Sequence, residues 1–147
     1  MLVDAMVDGS ALLAHVRVGI GAMERRDLEL IEEAERRRVG DSCNLDEALR
    51  TRQPNEHRWD YLLSVPEAGQ LVGLEPHSAG DSEVQVVIQK CKNARAALQQ
   101  ELKPGLRISR WYWVTRGRVS FSRMDRATRQ LSQNGIEFVG RRLAALL

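Results

Sequence analysis

The chain is short of the residues and motifs that mark several common function classes. It has only two cysteines, Cys43 and Cys91, in 147 residues. They stand in unrelated contexts, so neither a disulfide framework nor a cysteine metal site is expected, and a reducing cytoplasmic setting is the simplest reading. Cys91 falls on the apolar side of an expected helix, where a buried free thiol is the ordinary outcome. No apolar run approaches the roughly 20 residues needed to cross a bilayer, which argues against a membrane partner. The apolar opening MLVDAMVDGSALLAHVRVGIGAM carries Asp4 and Asp8 and lacks the basic start and cleavage site of a secretory leader. Glycine-rich phosphate loops, a nucleophile elbow and HExxH are missing, as are zinc-finger, RRM and KH signatures. Sequence-specific base readout therefore has no support in the chain.

What is present suits one globular domain. Hydrophobic residues make up 43% and charged residues 29%, and 147 residues are enough to bury a sizeable core. A single domain over 1–147 is expected, with 1–22 as an N-terminal arm or extra helix. The net charge of +2 hides a split. Residues 1–87 carry nine Lys/Arg and 17 Asp/Glu, net −8, whereas residues 88–147 carry 13 and three, net +10. Either the halves neutralise each other within the fold, or a phosphate-binding surface lies beside a carboxylate cluster.

The order of elements points to α/β or α+β architecture with a central mixed sheet flanked by helices. Leu13, Val16, Ile20, Met23, Leu30, Ile31 and Ala34 roughly follow helical spacing, so the first 40 residues read as helix, with Gly19 and Gly21 able to split it. NLDEALRTR reads as a short helix capped by Asn44. RWDYLLSV and QLVGLEPH read as a β-hairpin joined by PEAG. The stretch SEVQVVIQKCKNARAALQQEL is the clearest helix, capped by Ser82 or Asp81 and stopped by Pro104–Gly105. RISRWYWVT and RVSF read as strands, SRMDRATRQLSQ as a helix ended by Gly135, and IEFVGRRL as a short last strand or an extended tail.

Pairing Val65 with Gln70 sorts the hairpin into two faces. Leu63 meets Val72 and Tyr61 meets Leu74, with Trp59 and Pro76 beyond them on the same apolar face. On the other face Asp60 stands opposite Glu75, with His77 two residues on. Like charges across a strand pair are destabilising. Either this face is solvated, or a cation lies between the carboxylates. Mg²⁺ or Mn²⁺ is held by one or two carboxylates with waters and phosphate oxygens, so Asp60 and Glu75 are the candidate metal ligands. His77 is the candidate to orient water, act as a base or join the ligands, which makes Asp60, Glu75 and His77 the candidate catalytic set.

The helix, hairpin, helix and strand over roughly 44–115, with Asp60 in RWDYLL and Glu75 in VGLEPH, resemble the core of the PD-(D/E)XK nuclease-like superfamily. The resemblance implies a restriction-endonuclease-like core and metal-dependent hydrolysis of phosphodiester bonds in nucleic acid. It also implies a homodimer, the usual working form of small nucleases of this kind. The chain departs from the pattern in two places: Trp59 stands where the motif has proline, and His77 where it has lysine. Lys90 and Lys92 on the following helix are the available replacements, and Glu32, Glu33 and Glu47 the available extra carboxylates. These departures also leave room for a catalytically inactive member that binds nucleic acid or a protein partner.

The basic half supplies the expected backbone contacts. Arg110, Arg116, Arg118, Arg123 and Arg126 are the candidate nucleic-acid-binding residues, and Arg123, Arg126 and Arg129 fall three apart along one helix.

Overall fold

Alternation of apolar side chains builds the strands, and an unbroken 3.6-residue apolar stripe builds the one long helix. The computed structural model describes residues 1–147. Its elements in chain order are α1 (Leu2–Ala5), β1 (Val16–Val18), α2 (Glu33–Arg36), β2 (Asp41–Asn44), α3 (Leu45–Leu49), β3 (Tyr61–Val65) and β4 (Gln70–Pro76). They continue with β5 (Ala79–Gly80), α4 (Val84–Glu101), β6 (Arg110–Val114), β7 (Val119–Ser120), α5 (Met124–Gln133) and β8 (Ile136–Phe138). Six strands form one mixed sheet in the order β1-β2-β3-β4-β6-β8. The first four run as an antiparallel meander, while β4-β6 and β6-β8 are parallel. Parallel neighbours need crossover connections, and α4 and α5 supply them. This is a single-domain α+β fold, and no helix in it is long and apolar enough to cross a membrane.

The hairpin register is the one the apolar pattern requires: Val65 opposes Gln70, Leu63 opposes Val72, and Tyr61 opposes Leu74. Burial departs from the expectation of one solvated face. Every residue of β3 is buried, and so is β4 from Leu71 to Glu75, because layers pack on both sides of the sheet. On one side Leu62, Leu71, Trp111 and Trp113 meet Val84, Val87, Ile88 and Cys91 of α4. On the other, Tyr61, Leu63, Val72, Leu74 and Tyr112 meet Ile31, Leu143 and Leu146. Trp59 belongs to the α4 side and not to the Tyr61 face. It precedes the first residue of β3, so strand alternation does not fix its side, and its ring packs edge-on against Trp111 at 5.0 Å.

The helix expected across the first 40 residues does not form. In its place are α1, β1, a 3₁₀ turn at Arg25–Leu30, and α2. Gly19 takes φ of +57°, a conformation outside the right-handed helix, and its N–H donates to Gly40 O. That bond lies next to the β1–β2 pairing, so a segment with helical periodicity ends as an edge strand. Residues near the start pack on the domain. Leu2, Met6 and Leu12 are buried, Leu2 N donates to Asp41 Oδ2 at 3.0 Å, and Lys103 N donates to Ala5 O. Asn44 caps α3 by accepting from Glu47 N at 3.0 Å. Neither Ser82 nor Asp81 caps α4: the Asp81 carboxylate accepts from Ser122 N, and a 3₁₀ turn leads into the helix.

Gly73 on β4 is where the two tryptophans close over the strand. A Cβ there would lie 2.6 Å from Trp111 Cε3 and 2.9 Å from Trp59 Nε1, and both rings are buried. Overpacking at a site with no room to yield costs about 1–3 kcal/mol, so Gly73→Ala is expected to lower stability by that amount in urea titration, with an unchanged slope.

Candidate active site at the carboxyl ends of β4 and β6

Pairing between β3 and β4 ends at Tyr61–Leu74, one residue short of Asp60 and Glu75. Beyond it β4 continues only with β6, to Pro76–Val114, and His77 N donates to Val114 O. Pro76 has no N–H to offer and no β3 partner opposite it, so the chains part here as a mid-sheet proline requires. The gap opens at the carboxyl ends of two parallel strands, where α/β sheets hold their ligands.

Glu75 anchors the site and has no solvent exposure. Its Oε1 accepts from Asp60 N at 2.9 Å, and its Oε2 accepts from Lys90 Nζ at 2.6 Å. Lys90 reaches it from the second turn of α4. There the apolar stripe of Val87 and Cys91 holds the helix on the sheet and points position 90 at the end of β4. The two alternatives for the missing motif lysine are thus separated. Lys90 enters the site, and Lys92 is exposed on another face of the helix. Burial disfavours charge on Lys90, but Glu75 and Asp60 outweigh it and hold its pKa above the ordinary value.

Asp60 lies 3.9 Å from Lys90 Nζ, and its carboxylate makes no hydrogen bond. Its side chain remains 27% exposed, toward the cleft. Burial and the charge of Glu75 push its pKa up to about 8, while Lys90 partly offsets them. The other acids bearing on it are Asp46 and Asp27, and none of Glu32, Glu33 and Glu47 is among them. Glu32 pairs with Arg142 and Glu33 with Arg37. His77 stands between two carboxylates, with Nδ1 3.5 Å from Glu75 Oε2 and Nε2 2.8 Å from Glu83 Oε1. Those acids, Glu75 foremost, raise its pKa against the opposing effect of burial.

A polar cleft of about 380 Å³ opens beside this group, lined by Asp60, His77, Arg26, Asp27, Thr115 and Arg116 among others. Asp27 is almost fully buried. It accepts from Tyr61 Oη at 2.6 Å and from Arg116 Nη2 at 2.8 Å, so it sets the Arg116 guanidinium at the cleft wall. Nothing in the sequence marked Asp27, which sits inside a run of alternating charges, RRDLELIEE. Its partner Tyr61 was legible only as a strand residue.

The basic candidates divide. Arg116 lines the cleft. Arg123 and Arg126 border a neighbouring cleft of about 380 Å³ at the start of α5, although Arg123 also pairs with Asp125. Arg118 is exposed in the turn between β6 and β7. Arg110 is not brought to the site. It pairs in register with Val72, three residues back from the Glu75–Trp113 pair, about 10 Å away along the strand.

No family model matches this chain, and neither the curated proteins nor the solved structures provide a match.

Two stability experiments follow from the charges. Lys90→Met takes the lysine counter-charge from a buried carboxylate and leaves it only His77, at 3.5 Å. A loss of about 3–5 kcal/mol is expected, largely restored by adding Glu75→Gln, when both variants are titrated with urea. Asp60 has the opposite sign. Its folded pKa of about 8 lies above the unfolded value near 4, so between those limits the folded state holds a proton that the unfolded state releases. Its contribution is complete at low pH and is lost as pH climbs toward 8. Asp60→Asn is expected to gain on the wild type between pH 5 and 8, by on the order of 2 kcal/mol after allowing for screening at a partly exposed group. An equal difference at both ends would remove this account of Asp60.

Proposed function

We propose that this chain is a metal-dependent hydrolase of phosphodiester bonds in nucleic acid, with Asp60, Glu75, Lys90 and His77 as its working residues. One observation carries the reading. Asp60 just before β3, Glu75 on β4, His77 just after it and Lys90 on α4 converge at one sheet end, beside a cleft walled by Arg26 and Arg116. That convergence restores, from the following helix, the lysine that the hairpin motif lacks, and so supports the resemblance to the PD-(D/E)XK core.

The donors fit a hard divalent cation such as Mg²⁺ or Mn²⁺ through Asp60. Its carboxylate lines the cleft and makes no hydrogen bond, and burial first, then the charge of Glu75, raises its pKa to about 8, a shift that a cation would oppose. Glu75 would supply the second ligand if Lys90 gave up Oε2. Two carboxylates completed by waters and phosphate oxygens are the ordinary complement for Mg²⁺. When bound, such an ion lowers the pKa of a coordinated water and draws charge from the phosphate. The remaining duties fall to side chains already in place. Lys90 keeps positive charge beside the carboxylates, where it can face the charge developing on the phosphate. His77, backed by Glu83, holds a transferable proton at the cleft wall. Arg116, held by Asp27, and Arg26 face the flanking phosphates, with Arg123 and Arg126 further along the same edge.

A second reading has its own observation. The Glu75–Lys90 pair is already complete, with Glu75 shut off from solvent and Lys90 nearly so, and it can serve as a structural ion pair in an inactive module that binds nucleic acid or a protein. The two readings part on calorimetry with Mn²⁺. The hydrolase is expected to bind the ion with at least about tenfold loss in Asp60→Asn, and to nick plasmid DNA or cut RNA in Mn²⁺ but not in EDTA. No Mn²⁺ binding, with or without added nucleic acid, overturns the hydrolase. Retained binding of nucleic acid then identifies the inactive module.

A further inference from the structure

A second cleft lies at the opposite end of the sheet, and its chemistry differs from that of the first. We infer that the groove between the C-terminal half of α4, the segment 103–109 and the start of β6 is a binding site for a nucleoside 5′-phosphate. Its volume is about 710 Å³, within the roughly 300–1,000 Å³ typical of small-molecule sites. Its apolar lining is Leu98 and Leu102, one helical turn apart, with Leu106, Ile108 and Trp111. Leu106, 47% exposed, stands at the rim.

Two cations border this groove and no acid does. The Arg95 guanidinium lies 5.3 Å from the centre of the Trp111 ring, partly buried, and Arg107 stands exposed across from it. Neither meets a carboxylate, whereas eleven ion pairs elsewhere in the molecule use arginine. Arg95 is also held from behind: a Cβ at Gly135 would lie 2.6 Å from its Nη2. A guanidinium fixed on an aromatic face keeps its outer N–H groups for an anion, and its planar fork suits phosphate.

The rest of the lining selects the body attached to that anion. Gln70, Gln99 and Ser109 present amide and hydroxyl groups inside the groove. An aliphatic tail would cover these polar groups without bonding them, which costs free energy for each one left unpaired. A base and ribose give them donors and acceptors while the ring packs on the leucine wall. The same chemistry comes from a free mononucleotide or from one nucleotide of a single strand.

The test is calorimetry in EDTA, so that the carboxylate cleft holds no divalent ion, with UMP, AMP, inorganic phosphate and octanoate as probes. Saturable binding of a mononucleotide is expected, at least about tenfold tighter than phosphate or octanoate. Arg95→Gln should weaken it about tenfold. Leu106→Glu, which sets a like charge at an exposed rim position and leaves the core untouched, should do the same. Asp60→Asn should leave it unchanged, which separates this site from the proposed hydrolase centre. Competition by an oligothymidylate that binds tighter than UMP would identify a strand as the source, and absence of competition the free nucleotide. The inference is overturned if neither nucleotide binds up to about 5 mM. It is equally overturned if both variants bind as the wild type does, or if octanoate binds better than the nucleotides.

Discussion

The buried ion pair between Glu75 and Lys90 is the constraint around which this molecule is arranged. A carboxylate without solvent contact in a low-dielectric interior is sustainable only with a counter-charge and hydrogen bonds to its oxygens. Glu75 has both, from Lys90 Nζ and Asp60 N. The pair ties the end of β4 to the second turn of α4, and through Asp60 N it fixes where the chain enters β3. Replacing both partners with apolar residues of similar volume would usually be neutral or better for stability alone. A charged pair kept at the mouth of a polar cleft therefore points to a use other than holding the fold.

Connectivity sets where that use can occur. Three antiparallel strands bring the chain to β4, and two successive crossovers through α4 and α5 carry it to β6 and β8. The parallel strands end together at Pro76 and Val114, so His77 and Thr115 both follow directly at the cleft, and the arginine of the next turn, Arg116, lines it as well. The opposite layer contributes at the same point, with Asp27 on its 3₁₀ turn holding both Tyr61 and Arg116. Acid and base from the two halves of the charge split meet at this cleft: Asp27 and Asp60 from the acidic half, Lys90 and Arg116 from the basic half. The halves do neutralise each other, as at Arg116–Asp27 and Lys90–Glu75, and they do so around a site.

The two clefts differ in what they offer. The one beside Asp60 has no hydrophobic wall and mixes acids with bases, which suits a charged backbone passing over it. The one beside Arg95 has no acid and an apolar wall, which suits a small ring with a phosphate attached. They stand at opposite ends of β6, so neither needs the other to form.

Much of this was settled by the sequence itself, wherever local spacing decides structure. Alternation over YLLSV and QLVGL set the hairpin register, because a slip of one residue would have turned its apolar set outward. The stripe from Val84 to Leu98 set α4, Asn44 capped α3, and RWYWV sent both tryptophans to one face and Tyr112 to the other. The opposition of Asp60 and Glu75 was legible for the same reason. Tertiary structure decided what spacing does not carry. Helical periodicity in the first 40 residues lost to β1, since Gly19 bends the chain and an edge strand pairs along β2. Both faces of the hairpin were buried because layers from distant parts of the chain cover them. The choice of Lys90 over Lys92, and of Asp27 over every glutamate the sequence offered, depended on how a helix and a turn lie against the sheet. Such rotations are fixed by packing between elements far apart in the chain, and no short stretch of residues encodes them.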